Sequence, residues 1–101
     1  MVTISVTRSR IAAVLRDTAA LLEAEGWDPE RNSVMDAIDR AAGYVPGKGS
    51  TDAEETTLAA WDALVTHLGE QLVVPWERTP GRTQLQVLHA LRTAADEVTA
   101  P

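Results

Sequence analysis

The sequence contains no cysteine and no phenylalanine, and its only aromatic residues are three tryptophans and one tyrosine. Without cysteine the chain has no disulfide, no thiolate nucleophile and no Cys-ligated zinc or iron–sulfur site. The core must therefore be built from Leu, Val, Ile and Ala, with the tryptophans as its bulkiest members. A chain of 101 residues is long enough to form one modest hydrophobic core without disulfides or structural metal sites. We therefore expect a single helical domain over residues 1–101.

Long apolar runs are also missing. No stretch approaches the roughly 20 apolar residues that a membrane-spanning helix needs, and the opening MVTISVTRSR lacks the apolar stretch of a secretory signal. The chain is 45% hydrophobic and 24% charged, which is typical of globular domains. These features predict a soluble, cytoplasmic protein that does not associate with membranes.

Basic residues are few: nine Lys and Arg stand against fifteen Asp and Glu, for a net charge of −6. The two ends of the chain are balanced, so the whole excess lies in residues 28–70, with nine acidic and three basic side chains. Such a surface repels phosphates, and we expect no direct nucleic-acid binding. An acidic middle region can instead bind a basic protein, or it can serve solubility alone.

Four segments have the 3.6-residue apolar repeat of amphipathic helices: 8–25, 33–42, 51–68 and 83 almost to the end. Capping residues precede them, namely Thr7, then Asn32 or Ser33, and the capping-box pairs Thr51/Glu54 and Thr83/Gln86. Glycine stops follow the first three, at Gly26, Gly43 and Gly69. The pattern predicts a compact all-α domain of four helices, one of them short.

The apolar stripes predict which side of each helix is buried. For the third helix the stripe is Leu58, Trp61, Leu64, Val65 and Leu68. For the last helix it is Leu85, Leu88, Leu91, Ala95 and Val98. Three acidic side chains, Glu54, Glu55 and Asp62, are left on the outside of the third helix, where we expect an acidic interaction face.

Two stretches read as strands rather than helices. VTISV alternates apolar and polar residues, and QLVVPW is a short β-branched run that ends at a proline. Residues 2–6 and 71–75 could therefore pair as a minor two-stranded ribbon. The alternative is an irregular segment over residues 70–82 that wraps the core.

Motifs with known chemistry are incomplete. GYVPGKGS has the wrong spacing for a phosphate-binding loop and follows a helix rather than a strand. Asp28, Glu30, Asn32, Asp36 and Asp39 occupy positions of a calcium-loop register. That register lacks its central glycine and its final glutamate. His67 and His89 have no catalytic partner within local reach. We therefore predict no metal, no cofactor and no catalytic residues, and the balance is against an enzyme.

The segment VPWERTPGRT contains more aromatic, charged and proline residues than the start of a helix requires. Trp76, Arg78, Arg82 and the capping Thr83 could bind an anion or serve as an interface hot spot. The structural alternative is that Glu77, or another carboxylate of the same protein, satisfies the start of the last helix. Trp27 and Trp76 are each expected to fold back over an open end of the core.

LLEAEGW at the end of the first helix and the tail PWERTPGRTQLQVLHALRTAAD carry a resemblance that covers most of the chain. They resemble an uncharacterised family of small proteins from actinobacteria and their phages. The family pattern has Asn-Asp where this chain has Glu77 and Arg78, and a Cys-containing start of the second helix where it has NSVMDAID. The resemblance implies a single helical domain and no particular reaction.

Together these features predict a small non-enzymatic interaction or regulatory module. It would act through its acidic middle region or its 76–82 loop, on a protein partner of basic character, with a homodimer through alanine-rich faces as a further expectation. The alternative is a small-molecule or anion-binding domain at the N-terminus of the last helix.

Overall fold

Five α-helices account for most of the residues that the computed structural model describes, which are 6–45, 47 and 51–100. They are α1 (Arg8–Glu25), α2 (Val34–Ala42), α3 (Thr51–His67), α4 (Val73–Glu77) and α5 (Gln84–Thr99). The described ranges contain no strand, which confirms the all-α class. Within them, no helix is long and apolar enough to cross a membrane.

Three of the expected caps are confirmed. The hydroxyl of Thr7 accepts the Arg10 N–H at 3.1 Å, and that of Ser33 accepts the Asp36 N–H at 3.2 Å. Thr83 and Gln86 form a complete capping box at the start of α5. Thr51 is itself the first helical residue of α3 and therefore not its cap, and residue 50 lies outside the described residues.

The core surrounds α1, which packs against α2, α3 and α5. Its largest fully buried side chains include Leu15, Leu22, Ile38, Leu64 and Leu91. Each leucine removed from water in this way stabilises the fold by about 1.5–3 kcal/mol. Alanines fill the remaining contacts, so the helices can approach closely. Trp27, Trp61 and Trp76 pack against this core while partly exposed, as expected for the first and last of them.

The predicted buried faces were wrong at two leucines. Leu58 of α3 is 57% exposed and Leu85 of α5 is 79% exposed. In α3 the buried residues are Leu64, which belongs to the predicted stripe, and four smaller residues outside that stripe: Ala53, Thr56, Thr57 and Ala60. Short side chains fill much of the buried side of α3, so Leu58 is left at the surface, while Trp61, Val65 and Leu68 of the predicted stripe pack half-buried against the core.

The expected strand over residues 71–75 was also wrong, because Val73–Glu77 forms the short helix α4. Val73 is fully buried and anchors this turn on the core. Pro75 is the third residue of α4, where the backbone N–H has no helical partner and its loss costs nothing. The other half of the proposed ribbon, residues 2–5, lies outside the described residues.

Candidate functional site

A groove opens between α2 and α3. Glu54, Thr57, Leu58 and Trp61 follow one another at helical spacing along one stripe of α3 and form one wall. Met35, Asp39 and Tyr44 line it from α2 and the residues after it. The groove has a volume of about 310 Å³. We call it the α2–α3 groove.

Hydrogen bonds fix the two walls of the α2–α3 groove. The hydroxyl of Thr57, which is 8% exposed, donates to Oδ1 of Asp39 and so joins α3 to α2. Gly43 ends α2 in the left-handed conformation at φ 78°, and the next N–H, that of Tyr44, donates to the Asp39 carbonyl at 2.8 Å. This turn brings Tyr44 back towards the groove.

Much of the lining is apolar surface that folding leaves in water. Met35 is 42% exposed and Leu58 is 57% exposed, and they line the same groove as the half-buried Trp61. Single exposed apolar residues are ordinary, but several around one concavity are typical of a binding surface. The groove also contains two of the four aromatic residues of the chain, Tyr44 and Trp61.

The charge of the lining has one sign. Asp39 and Glu54 line the groove, and none of the described residues in its lining is Lys, Arg or His. Neither carboxylate belongs to any of the ion pairs within the described ranges. The neighbouring Arg40 is bound to both carboxylate oxygens of Glu25, at 3.0 and 2.9 Å. Among the described residues, the groove therefore combines apolar side chains with two carboxylates that belong to no ion pair.

The predicted acidic face is only partly brought together. Glu54 lines the α2–α3 groove, whereas Glu55 and Asp62 do not. Asp62 is exposed on α3. Glu55 is partly buried, and its Oε2 is enclosed without a hydrogen-bond partner in the described part of the chain. Glu54 is thus the member of the three that can act together with the apolar groove.

The structure brings Trp76 and Arg82 together. The Arg82 guanidinium lies 4.4 Å from the centre of the Trp76 ring, and its Nε donates to the Trp76 carbonyl at 3.0 Å. Thr83 is occupied by the capping box, and Arg78 is an exposed residue that ends α4. A second groove of about 350 Å³ has no charged residue in the described part of its lining, which is Gln71, Leu72, Pro75, Trp76 and Thr79. An anion site at the start of α5 stays a prediction.

Glu77 has a role that the sequence did not indicate. It is only 2% exposed, and its Oε2 accepts the Trp27 indole N–H and the Val34 backbone N–H, each at 2.7 Å. It therefore satisfies the start of α2 rather than that of α5. Burial raises the pKa of Glu77, and these two hydrogen bonds partly oppose the rise. The sequence feature that could have indicated the burial of Glu77 is its spacing from Val73, because residues four positions apart lie on the same side of a helix.

The carboxylates of the calcium-loop register serve local structure. Asp28 accepts the N–H groups of Glu30 and Arg31, at 2.8 and 3.0 Å, and these bonds lower the pKa of Asp28. In the described part of the chain, no three His, Asp or Glu side chains are grouped so that they could hold a metal ion. His67, at the end of α3, meets Glu97 of α5 at 2.8 Å, a partner that local spacing could not indicate.

Fold and groove together define a small all-α domain with an acidic, partly apolar groove. The chain belongs to a family of unknown function, DUF6197, whose pattern matches residues 6–97. Neither the curated proteins nor the solved structures gave a match. The resemblance to an uncharacterised family is thereby confirmed, whereas an actinobacterial or phage origin, a cytoplasmic location and a homodimer stay predictions.

Proposed function

We propose that this protein is a non-enzymatic interaction module whose α2–α3 groove binds a basic, amphipathic segment of a partner protein. The observation that carries the proposal is the combination of exposed apolar lining with two carboxylates that form no ion pair within the described residues. The surplus negative charge of residues 28–70 extends the same preference beyond the groove.

Each half of the lining has a separate role in binding. Covering Met35, Leu58 and Trp61 removes apolar area from water, at about 25 cal/mol per Å², and supplies most of the affinity. Asp39 and Glu54 favour partners of positive charge and raise the rate of encounter. A groove between two helices suits an amphipathic helix, whose apolar residues recur every three or four positions on one side.

The first test selects ligands without assuming a sequence. Peptides displayed as a random library are selected against the folded wild-type chain, and the enriched sequences are synthesised. We expect apolar residues at helical spacing together with Lys or Arg. Affinity should fall as salt is raised, because the attraction between exposed charges is screened.

Matched variants locate the binding. Glu54→Gln removes one charge inside the groove, and Glu70→Gln removes the same charge from an exposed position beyond the other end of α3. We expect the first to weaken binding roughly three- to tenfold and the second to have little effect beyond general screening. Equal losses in both variants, or enrichment of acidic peptides, would contradict the proposal.

A further inference from the structure

One tryptophan of this chain is stacked with an arginine and another is not. Trp76 carries the Arg82 guanidinium 4.4 Å from its ring centre. Trp61 lines the α2–α3 groove together with Asp39 and Glu54, and no described cation is placed over its ring. Trp61 therefore combines an unstacked ring with two carboxylates in the same groove, and no cation of the described residues is stacked on it.

We propose that the α2–α3 groove receives an arginine side chain of the partner, with its guanidinium stacked on Trp61 and paired with Glu54. The inference rests on the proposed function and specifies the group that the groove recognises. Trp is the best aromatic partner of a cation, and a carboxylate in the same groove can add a charge-assisted hydrogen bond to the edge of the guanidinium.

Arginine fits this lining better than lysine. Its guanidinium is planar, so one face can stack on Trp61 while its edge donates to Glu54, and it is less strongly hydrated than an ammonium group. Oδ1 of Asp39 already accepts the Thr57 hydroxyl, which holds that carboxylate in place as a second negative charge. The apolar side chains of Met35 and Leu58 offer contacts to the methylene stem.

The direct test uses arginine alone. N-acetyl-arginine methylamide is titrated to tens of millimolar into the full ¹⁵N-labelled chain, and the Trp61 indole N–H signal, assigned by its loss in Trp61→Phe, is followed. We expect this signal to shift. The citrulline counterpart, which keeps the shape of arginine and lacks its charge, should leave it in place. Glu54→Gln should reduce the shift, and Glu70→Gln should not.

A second arm uses the selected peptides. Each arginine is replaced in turn by citrulline, and affinity is measured for the wild-type chain and for Glu54→Gln. If one arginine inserts into the groove, citrulline at that position should lower the affinity roughly tenfold, whereas citrulline at the other positions should change it little. In Glu54→Gln the loss at that position should become small. General charge attraction predicts similar losses at every position.

The outcomes separate the two proposals. If neither arginine nor any basic peptide moves the Trp61 signal, the inference is overturned. If basic peptides bind with salt dependence while the citrulline losses are equal and Trp61 is unmoved, the inference fails and the proposed function stands. If arginine shifts Trp61 and no basic peptide is selected, the cation site stands and the proposed function fails.

Discussion

Glu77 holds two helices and a tryptophan through one carboxylate oxygen. Its Oε2 accepts from Trp27 and from the first backbone N–H of α2, and the side chain is almost closed to solvent. A negative charge at a helix N-terminus interacts favourably with the helix dipole. The residue therefore links α4 to the start of α2, which carries one wall of the groove.

Removing this carboxylate should destabilise the fold. Glu77→Ala leaves two buried N–H donors without an acceptor, and each costs about 1–3 kcal/mol. We expect the free energy of unfolding to fall by about 3 kcal/mol, measured by urea denaturation. Glu30→Ala, at an exposed acidic position, serves as the control and should change it by about 0.5 kcal/mol or less. Equal effects of the two substitutions would contradict the structural role of Glu77.

The titration of Glu77 gives a prediction about pH. Burial raises the pKa of folded Glu77 above its ordinary value of 4.5. As pH falls from neutrality through the raised value towards 4.5, the folded state takes up the proton before the unfolded state does, so this group adds stability. The gain is complete below the unfolded pKa and is lost as pH rises through the folded one.

The comparison with Glu77→Gln isolates this effect. Glu25 and Asp28 have lowered pKa values, from the Arg40 hydrogen bonds and from backbone N–H groups respectively, and act in the opposite direction at lower pH. The contributions of Glu25 and Asp28 are the same in wild type and in Glu77→Gln, so they cancel when the stabilities of the two proteins are compared. We expect the stability of wild type relative to Glu77→Gln to increase as pH is lowered towards 4.5, in urea denaturation at several pH values. A difference that is constant with pH would refute the raised pKa.

At the scale of a helix, α3 has one side buried in the core and another side that lines the groove for which we propose binding. Leu64 is fully buried, whereas Leu58 is 57% exposed and lines the groove. We predict that Leu64→Ala costs about 2–5 kcal/mol of folding stability, because it leaves a cavity. Leu58→Ala should cost about 0.5 kcal/mol or less and should weaken peptide binding instead. Thermal unfolding and binding, measured on both variants, test this division.

The same helix shows how much the sequence could predict. Apolar periodicity correctly indicated the four longer helices, and polar side chains before them indicated the caps at Thr7, Ser33 and Thr83. On α3 it placed Leu64 correctly in the core but wrongly buried Leu58, and it missed the small buried residues Ala53, Thr56, Thr57 and Ala60, because apolar periodicity favours large side chains over alanine and threonine. The buried Thr56 fits because its hydroxyl donates to the Asp52 carbonyl at 2.7 Å.

The remaining differences come from contacts between distant residues. A run such as QLVVPW is too short for periodicity to separate a strand from one helical turn, and the burial of Val73 decided in favour of α4. Glu54 was predicted from its charge alone. Glu54 lines one groove with Asp39 and Tyr44 because of the way α2 packs on α3. No local pattern in a single sequence indicates that packing.

For the whole molecule, the distribution of charge and the position of the groove both favour binding of a basic partner on the side of α2 and α3. The balanced ends of the chain form α1 and α5, whose exposed charges pair with each other, as in Arg16–Asp96 and Arg92–Glu23. The acidic surplus belongs to the part of the chain that carries α2 and α3. A basic partner should therefore be attracted towards the groove, and this preference should weaken in high salt.

The most direct measurement maps where a selected basic peptide binds. The peptide is titrated into the ¹⁵N-labelled chain at low and at high salt, and backbone and indole signals are followed. We predict shifts concentrated at Met35, Tyr44, Leu58 and Trp61, with weaker binding at high salt. Shifts centred on Leu72–Thr79 or on the outer surfaces of α1 and α5, or binding that does not depend on salt, would contradict a groove that recognises a basic partner.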